Sequence, residues 1–170
     1  MFSLSNNQLT STIPTELGRL ATLQRLDLDY NTLTGTLPSE IGQLSELRFL
    51  FLHNNNLTGV IPTEFGRIPH LAIVILAENF MNGTLPAALG SLTTMIEMHF
   101  HGNQFSGTIP KELGGLLELE TFTLHDTRLT GSVPSAVCEL VDSAALEHLT
   151  VDCTEISCFC NCECLDNSTG

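Results

Sequence analysis

The chain has 170 residues, 42% of them hydrophobic, enough for one domain with a continuous core and too apolar for a disordered polymer. Nineteen acidic side chains against six basic ones give a formal charge of −13, a field that repels nucleic-acid phosphates and anionic lipid and attracts cationic peptides, basic proteins or divalent cations. No uninterrupted apolar run approaches the roughly 18 residues of a membrane helix, so no membrane insertion by this segment is expected.

The opening stretch MFSLSNNQLTS lacks the charged and apolar regions of a secretory leader, so either a leader has been removed or the reading frame is a fragment. Prolines then recur at 14, 38, 62, 86, 110 and 134, glycines at 35, 59, 83, 107 and 131, and asparagines at 7, 31, 55, 79 and 103, every step being 24 residues. Self-similarity at a fixed period of about 20 to 50 residues marks stacked supersecondary units, none of which buries its apolar face alone.

In each unit a first strand comes from the alternation of buried Leu50 and Leu52 with outward Phe49, Phe51 and His53. In the first coil, which begins midway, that strand is reduced to residues 2 to 5. A second alternation, Leu33, Gly35 and Leu37 inward with Thr34 and Thr36 outward, ends at Pro38, whose missing N–H stops pairing. SEIGQL then supplies one tight helical turn and, at Gly42, its exit. The recurrent asparagine lies inward among leucines and must be bonded to backbone, since an unpaired buried amide costs about 1 to 3 kcal/mol. Thr127 stands where a sixth would fall, so the ladder is expected to weaken there. LVDSAALEHLTVDC keeps the strand pattern at Leu149 and Val151 but carries about three extra residues, read as a local bulge.

All six cysteines, Cys138, Cys153, Cys158, Cys160, Cys162 and Cys164, fall in the last 33 residues. An even number crowded at one end reads as a disulfide-stapled cap in an oxidising compartment, with fifteen pairings open. Four thiolates wrapping a soft metal is the competing reading. Sequons at Asn56, Asn82 and Asn167 agree with secretion and are candidate glycosylation sites. The organisation is therefore a solenoid of 24-residue coils over 1–153 and a Cys-rich cap and tail over 138–170.

The pattern LxxLxxLxLxxNxLTGxIPxxLGxL, repeated over about residues 2 to 153, resembles the plant-type leucine-rich repeat. That resemblance implies an α/β repeat solenoid: a right-handed superhelix with a parallel β-sheet on the concave face, a second short parallel sheet, and short helical or 3-10 turns on the convex side. It further implies relatives such as receptor-like proteins, receptor-like kinase ectodomains and polygalacturonase-inhibiting proteins, extracellular or cell-surface modules that bind peptides, small hormones or other proteins.

With the scaffold letters assigned, function falls to outward positions on the first strands. Three columns follow: Arg25, Phe49, Ile73, Glu97, Thr121, His148; Asp27, Phe51, Ile75, His99, Thr123, Thr150; and Asp29, His53, Ala77, His101, His125, Asp152. Strands lie about 4.8 Å apart, which makes these surface neighbours. Phe49, Phe51, Ile73 and Ile75 form an apolar block expected to anchor a protein or peptide ligand, with Arg25, Asp27 and Asp29 adding charge selectivity. His53, His99, His101 and His125 border it, and His99, His101 and His125, with Glu97 and Asp126 nearby, are the weak candidates for a metal. A pH-sensitive surface, losing its ligand between pH 7 and about 5.5, is the alternative use of those imidazoles.

The other outward face reads Thr10, Thr34, Thr58, Asn82, Ser106, Thr130 beside Thr12, Thr36, Val60, Thr84, Thr108, Ser132. It resembles the threonine ladders of solenoid ice-binding proteins, although Ser and Thr also suit strand geometry. No phosphate loop, HExxH or nucleophile elbow is present, so no catalytic residue, cofactor or enzyme activity is assigned.

Overall fold

The computed structural model describes residues 1–143 and 145–165; Asn167 lies outside them. Eight parallel strands form one sheet in the order Phe2–Ser3, Arg25–Asp27, Phe49–Phe51, Ile73–Ile75, Glu97–His99, Thr121–Thr123, His148–Val151 and Glu163–Cys164. This is the concave sheet of a leucine-rich-repeat solenoid. Its register follows the repeat: Leu26 faces Leu50, Leu50 faces Val74, Val74 faces Met98 and Met98 faces Phe122. These residues are fully buried, because every second side chain of a strand points inward and parallel coils superpose like on like.

After each first strand the chain turns through a left-handed residue, at Asn6, Tyr30, Asn54, Glu78, Gly102 and Asp126. Next comes the buried asparagine. Asn55 Nδ2 donates to Leu28 O, Leu52 O and His53 O, while its Oδ1 accepts from Leu33 N. Asn31, Asn79 and Asn103 repeat that set, so the ladder ties each turn to the coil before it. Thr127 donates to Leu124 O and accepts from Leu129 N, both within its own coil, and among the described residues its hydroxyl makes no bond across to the preceding one.

A second sheet joins Thr34–Thr36, Asn56–Gly59, Phe80–Gly83, Gln104–Gly107 and Arg128–Leu129. Its register departs from the columns expected at steps of 24: Thr34 faces Asn56, Thr36 faces Thr58, and Asn82 faces Gln104. Adjacent strands are slid by two residues, so the threonine columns run obliquely. The glycines explain the slide. Gly35 and Gly59 have φ of +75° and +74°, and the methyls of Thr12 and Thr36 fill the space that a Cβ there would need.

Proline ends each second strand, and its carbonyl accepts the amide three residues on, as Pro38 O does from Ile41 N, to start a 3-10 turn such as Ser39–Gln43. Gly18, Gly42, Gly66, Gly90 and Gly114 let successive turns close; a Cβ on Gly42 would press into the Glu64 carbonyl. In the last coil this column holds Cys138 instead of glycine, and the turn continues as an α-helix, Ser135–Asp142. The extra residues expected as a bulge are thus spent on a longer helix. Among the described residues no further coil packs against that position, so glycine is not required there.

All six cysteines are paired, Cys138–Cys160, Cys153–Cys164 and Cys158–Cys162. The cap adds Glu163–Cys164 as the last strand of the concave sheet, a strand the sequence pattern does not announce.

Candidate ligand-binding face

The concave register sets Phe49 beside Ile73 and Phe51 beside Ile75. All four side chains are half-buried and stand outside the core. The block is edged with cations on its N-terminal side: the Arg25 guanidinium lies 4.6 Å from the Phe51 ring centroid, and that of Arg48 lies 6.0 Å from the Phe49 ring. Arg25 also donates through Nε to both Asp27 oxygens at 2.9 Å.

That arrangement changes the reading of the acidic residues. Asp27, expected to face outward, is only 5% exposed beneath Arg25, and Asp29, 9% exposed, accepts the Ser5 hydroxyl at 2.6 Å. Both carboxylates are thus spent on internal partners, Arg25 for Asp27 and Ser5 for Asp29. Thr123 and Thr150 are likewise outward in register yet buried, because long neighbours lie over them.

Those neighbours are imidazoles. His101 Nδ1 is 2.7 Å from Thr123 Oγ1, and His125 Nδ1 is 2.9 Å from Thr150 Oγ1. The two rings stack with centroids 4.5 Å apart. His99 hydrogen-bonds Glu97 at 3.1 Å, and His53 meets Tyr30 edge-on at 5.1 Å with Nε2 3.9 Å from Asp29. One nitrogen each of His101 and His125 is thereby turned onto a hydroxyl, and Nε2 of His99 onto a carboxylate. Among the described residues, the set whose ligating atoms converge within 4.8 Å is Cys158, Cys160 and Cys162, whose sulfurs are all in disulfides.

Burial, together with the neighbouring His125 and His99, lowers the His101 pKa to about 4, and burial lowers that of His53 despite Asp29. The His101 ring therefore stays neutral across the interval from pH 7 to 5.5, and a charge switch on it lies at lower pH. An unfolded histidine takes up its proton near pH 6.5, whereas folded His101 waits until about 4. The unfolded state binds more protons throughout that window, so the fold should lose stability as pH falls through it. The expected loss from His101 is roughly 1–2 kcal/mol after discounting for its half-exposed ring. Denaturant titrations at pH 7 and 4.5 check this, and His101→Phe should shrink the difference.

One residue of this face escapes the repeat pattern. Tyr30, 53% exposed, flanks His53 from a backbone position with φ of 51°, where other coils place Asn6, Asn54 or Gly102. A large aromatic where asparagine or glycine is favoured was the available signal. Asp152 closes the other end: its oxygens accept the Asp126 and Thr127 amides, which in earlier coils are bonded by backbone carbonyls.

On the second face, Thr34, Thr58 and Thr130 donate their hydroxyls to Ser11 O, Gly35 O and Gly107 O, satisfying the backbone of the preceding coil. The exposed side chains of Val60, Phe80, Asn82 and Arg128 interrupt the hydroxyl array.

Residues 1–57 and 94–116 match family models described as leucine rich repeat. No curated protein sequence matches. Among solved structures, the plant peptide hormone receptor RGFR1 in complex with RGF2 is 32% identical over 91% of this chain, with a TM-score of 0.83, and the chain spans 28% of it. The Arabidopsis receptor kinase HAESA, in complex with the peptide hormone IDA and the co-receptor SERK1, is 34% identical over 92% of this chain and 26% of its own, with a TM-score of 0.82. A plant ice-binding protein is 27% identical over 88% of this chain and 47% of its own, with a TM-score of 0.77. The chain thus spans just over a quarter of each of these two receptors. Among the described residues, no helix is long and apolar enough to cross a membrane.

Proposed function

This chain belongs to the plant-type leucine-rich-repeat proteins, and on that premise we propose that it is a non-catalytic, extracellular recognition module that binds a protein or peptide over its concave face. The observation that carries the reading is the contiguous block of Phe49, Phe51, Ile73 and Ile75, held half-exposed on a face where stacking uses none of them. Burial of such a block inside a rim of Arg25, His53, His99, His101 and His125 is how small interfaces gain affinity. Of the two receptors similar to this chain, one is a peptide hormone receptor solved with RGF2 and the other is solved with the peptide hormone IDA, which supports a peptide class of ligand. The charge of −13 favours a ligand with cationic groups. The three disulfides suit an oxidising compartment.

The test is a selection of random-library peptides on the native protein, followed by affinity measurement on Phe51→Ala. Phe51 lies outside the core, so the variant should keep its melting temperature. Selected peptides should bind it at least about 5-fold more weakly, the loss of one anchor worth more than about 1 kcal/mol. Unchanged affinity would show that the ligand sits elsewhere.

A second reading has the threonine face bind ice, supported by the similarity to a plant ice-binding protein. Its signature is thermal hysteresis that falls on Thr58→Lys and ignores Phe51→Ala; the concave reading requires the reverse sensitivity.

A further inference from the structure

Asparagine has two fates in this chain. The ladder residues are buried and fully bonded, whereas Asn56 and Asn82 are exposed and, among the described residues, their side-chain amides enter no hydrogen bond. These two head the sequons Asn56-Leu57-Thr58 and Asn82-Gly83-Thr84. Both lie on second-sheet strands, Asn56–Gly59 and Phe80–Gly83. Between them stands Phe80, 52% exposed, an apolar ring that neither the core nor the concave face uses. Its Cα pairs with Thr58 of Asn56's own sequon, and Asn56 and Phe80 line one open recess with Asn54, Glu78 and Gly102.

We propose that Asn56 and Asn82 carry N-linked glycans and that the first sugar on Asn56 packs its apolar face on Phe80, making this flank a sugar-covered wall. In the transfer, the amide nitrogen forms a bond to the anomeric carbon of N-acetylglucosamine in a lipid-diphosphate-linked oligosaccharide. The bond from that carbon to the diphosphate oxygen breaks, the amide loses one proton, and the lipid diphosphate departs. The sugar then covers the Phe80 ring, which explains why an aromatic is tolerated at a solvent-facing position. A glycan on Asn82, which faces Gln104 across the strands and sits in the threonine array, would hold a flat crystal surface away while leaving Phe49 and Phe51 open. The inference rests on the extracellular reading and names which face of that module is closed.

The experiment expresses the full chain behind a secretion leader in a eukaryotic host. Peptide mass spectrometry with and without enzymatic deglycosylation should find both sites occupied. Phe80→Ala should lower the melting temperature by about 2 °C in the glycosylated protein and by clearly less in the Asn56→Gln background, the difference reporting the sugar–ring contact. Secreted protein with closed disulfides but an unmodified Asn56, or an equal Phe80→Ala effect in both backgrounds, overturns the proposal alone. Secreted protein with free thiols and bare sequons counts against the oxidising, extracellular reading and removes the proposal with it.

Discussion

Asn79→Ala is expected to lower stability by about 3 kcal/mol and the melting temperature by roughly 9 °C. The side chain gives Nδ2 to Leu52 O, Leu76 O and Ala77 O at 3.0, 3.0 and 3.2 Å and takes the Leu57 amide at 3.0 Å. Alanine leaves the carbonyls with partial compensation, since Asn55 also serves Leu52 O and Asn103 also serves Leu76 O. The Leu57 N–H has no such second partner in the ladder, and Leu57 is fully buried. An orphaned buried donor costs about 1–3 kcal/mol by itself, and the loss of the turn's own bonds adds to it. Thr127→Asn should act in the opposite direction by extending the ladder into the sixth coil, raising the melting temperature by a few degrees. Calorimetry on both variants decides the matter. A loss below about 1 kcal/mol for Asn79→Ala would mean that the leucines alone hold the coils in register.

Much of this architecture is legible before any coordinates, and the reason is the repeat itself. If Leu50 is buried on a strand, then Leu26 and Val74 share its environment, and one local argument fixes the whole concave sheet. The ladder follows from the same logic, because a polar amide repeated among leucines has few fates other than bonding to backbone. What a period cannot reveal is a constant offset. Thr36 faces Thr58 rather than the residue 24 places on, and every second-sheet strand can slide by the same amount without disturbing the repeat. The slide depends on the left-handed glycines and the methyls lying over them, a three-dimensional fit absent from spacing.

The candidate site divides in the same way. Which residues neighbour one another on the concave face follows from register, so Phe49, Phe51, Ile73 and Ile75 come together as expected. How much of each is accessible depends on the length and rotamers of neighbours. Asp27 disappears under Arg25, Thr123 under His101 and Thr150 under His125, events that the strand pattern treats as outward positions. Alternation assigns a face; it does not assign solvent.

The second large effect lies at the C-terminal end. Replacing Cys138 and Cys160 together by alanine is expected to lower stability by about 3 kcal/mol, the loop-closure contribution of a bridge spanning 22 residues. Position matters as much as magnitude. Cys138 occupies the column that in earlier coils holds a glycine pressed against the next turn, and its partner brings the cap across the open end of the last coil. Cys153, Cys158 and Cys162 pack there too, against the same core. A solenoid passes stability only between neighbours, so losing this staple should fray the end first. Hydrogen exchange should quicken in Ser135–Asp142 and His148–Val151, while the amides of Leu50 and Val74, two and more coils away, keep their protection. The two carboxylate bonds from Asp152 to Asp126 and Thr127 mark where fraying should slow, since they tie the last turn to the coil before it. A uniform rise in exchange along the whole chain would instead mean that the coils unfold as one cooperative unit and that the cap governs all of them.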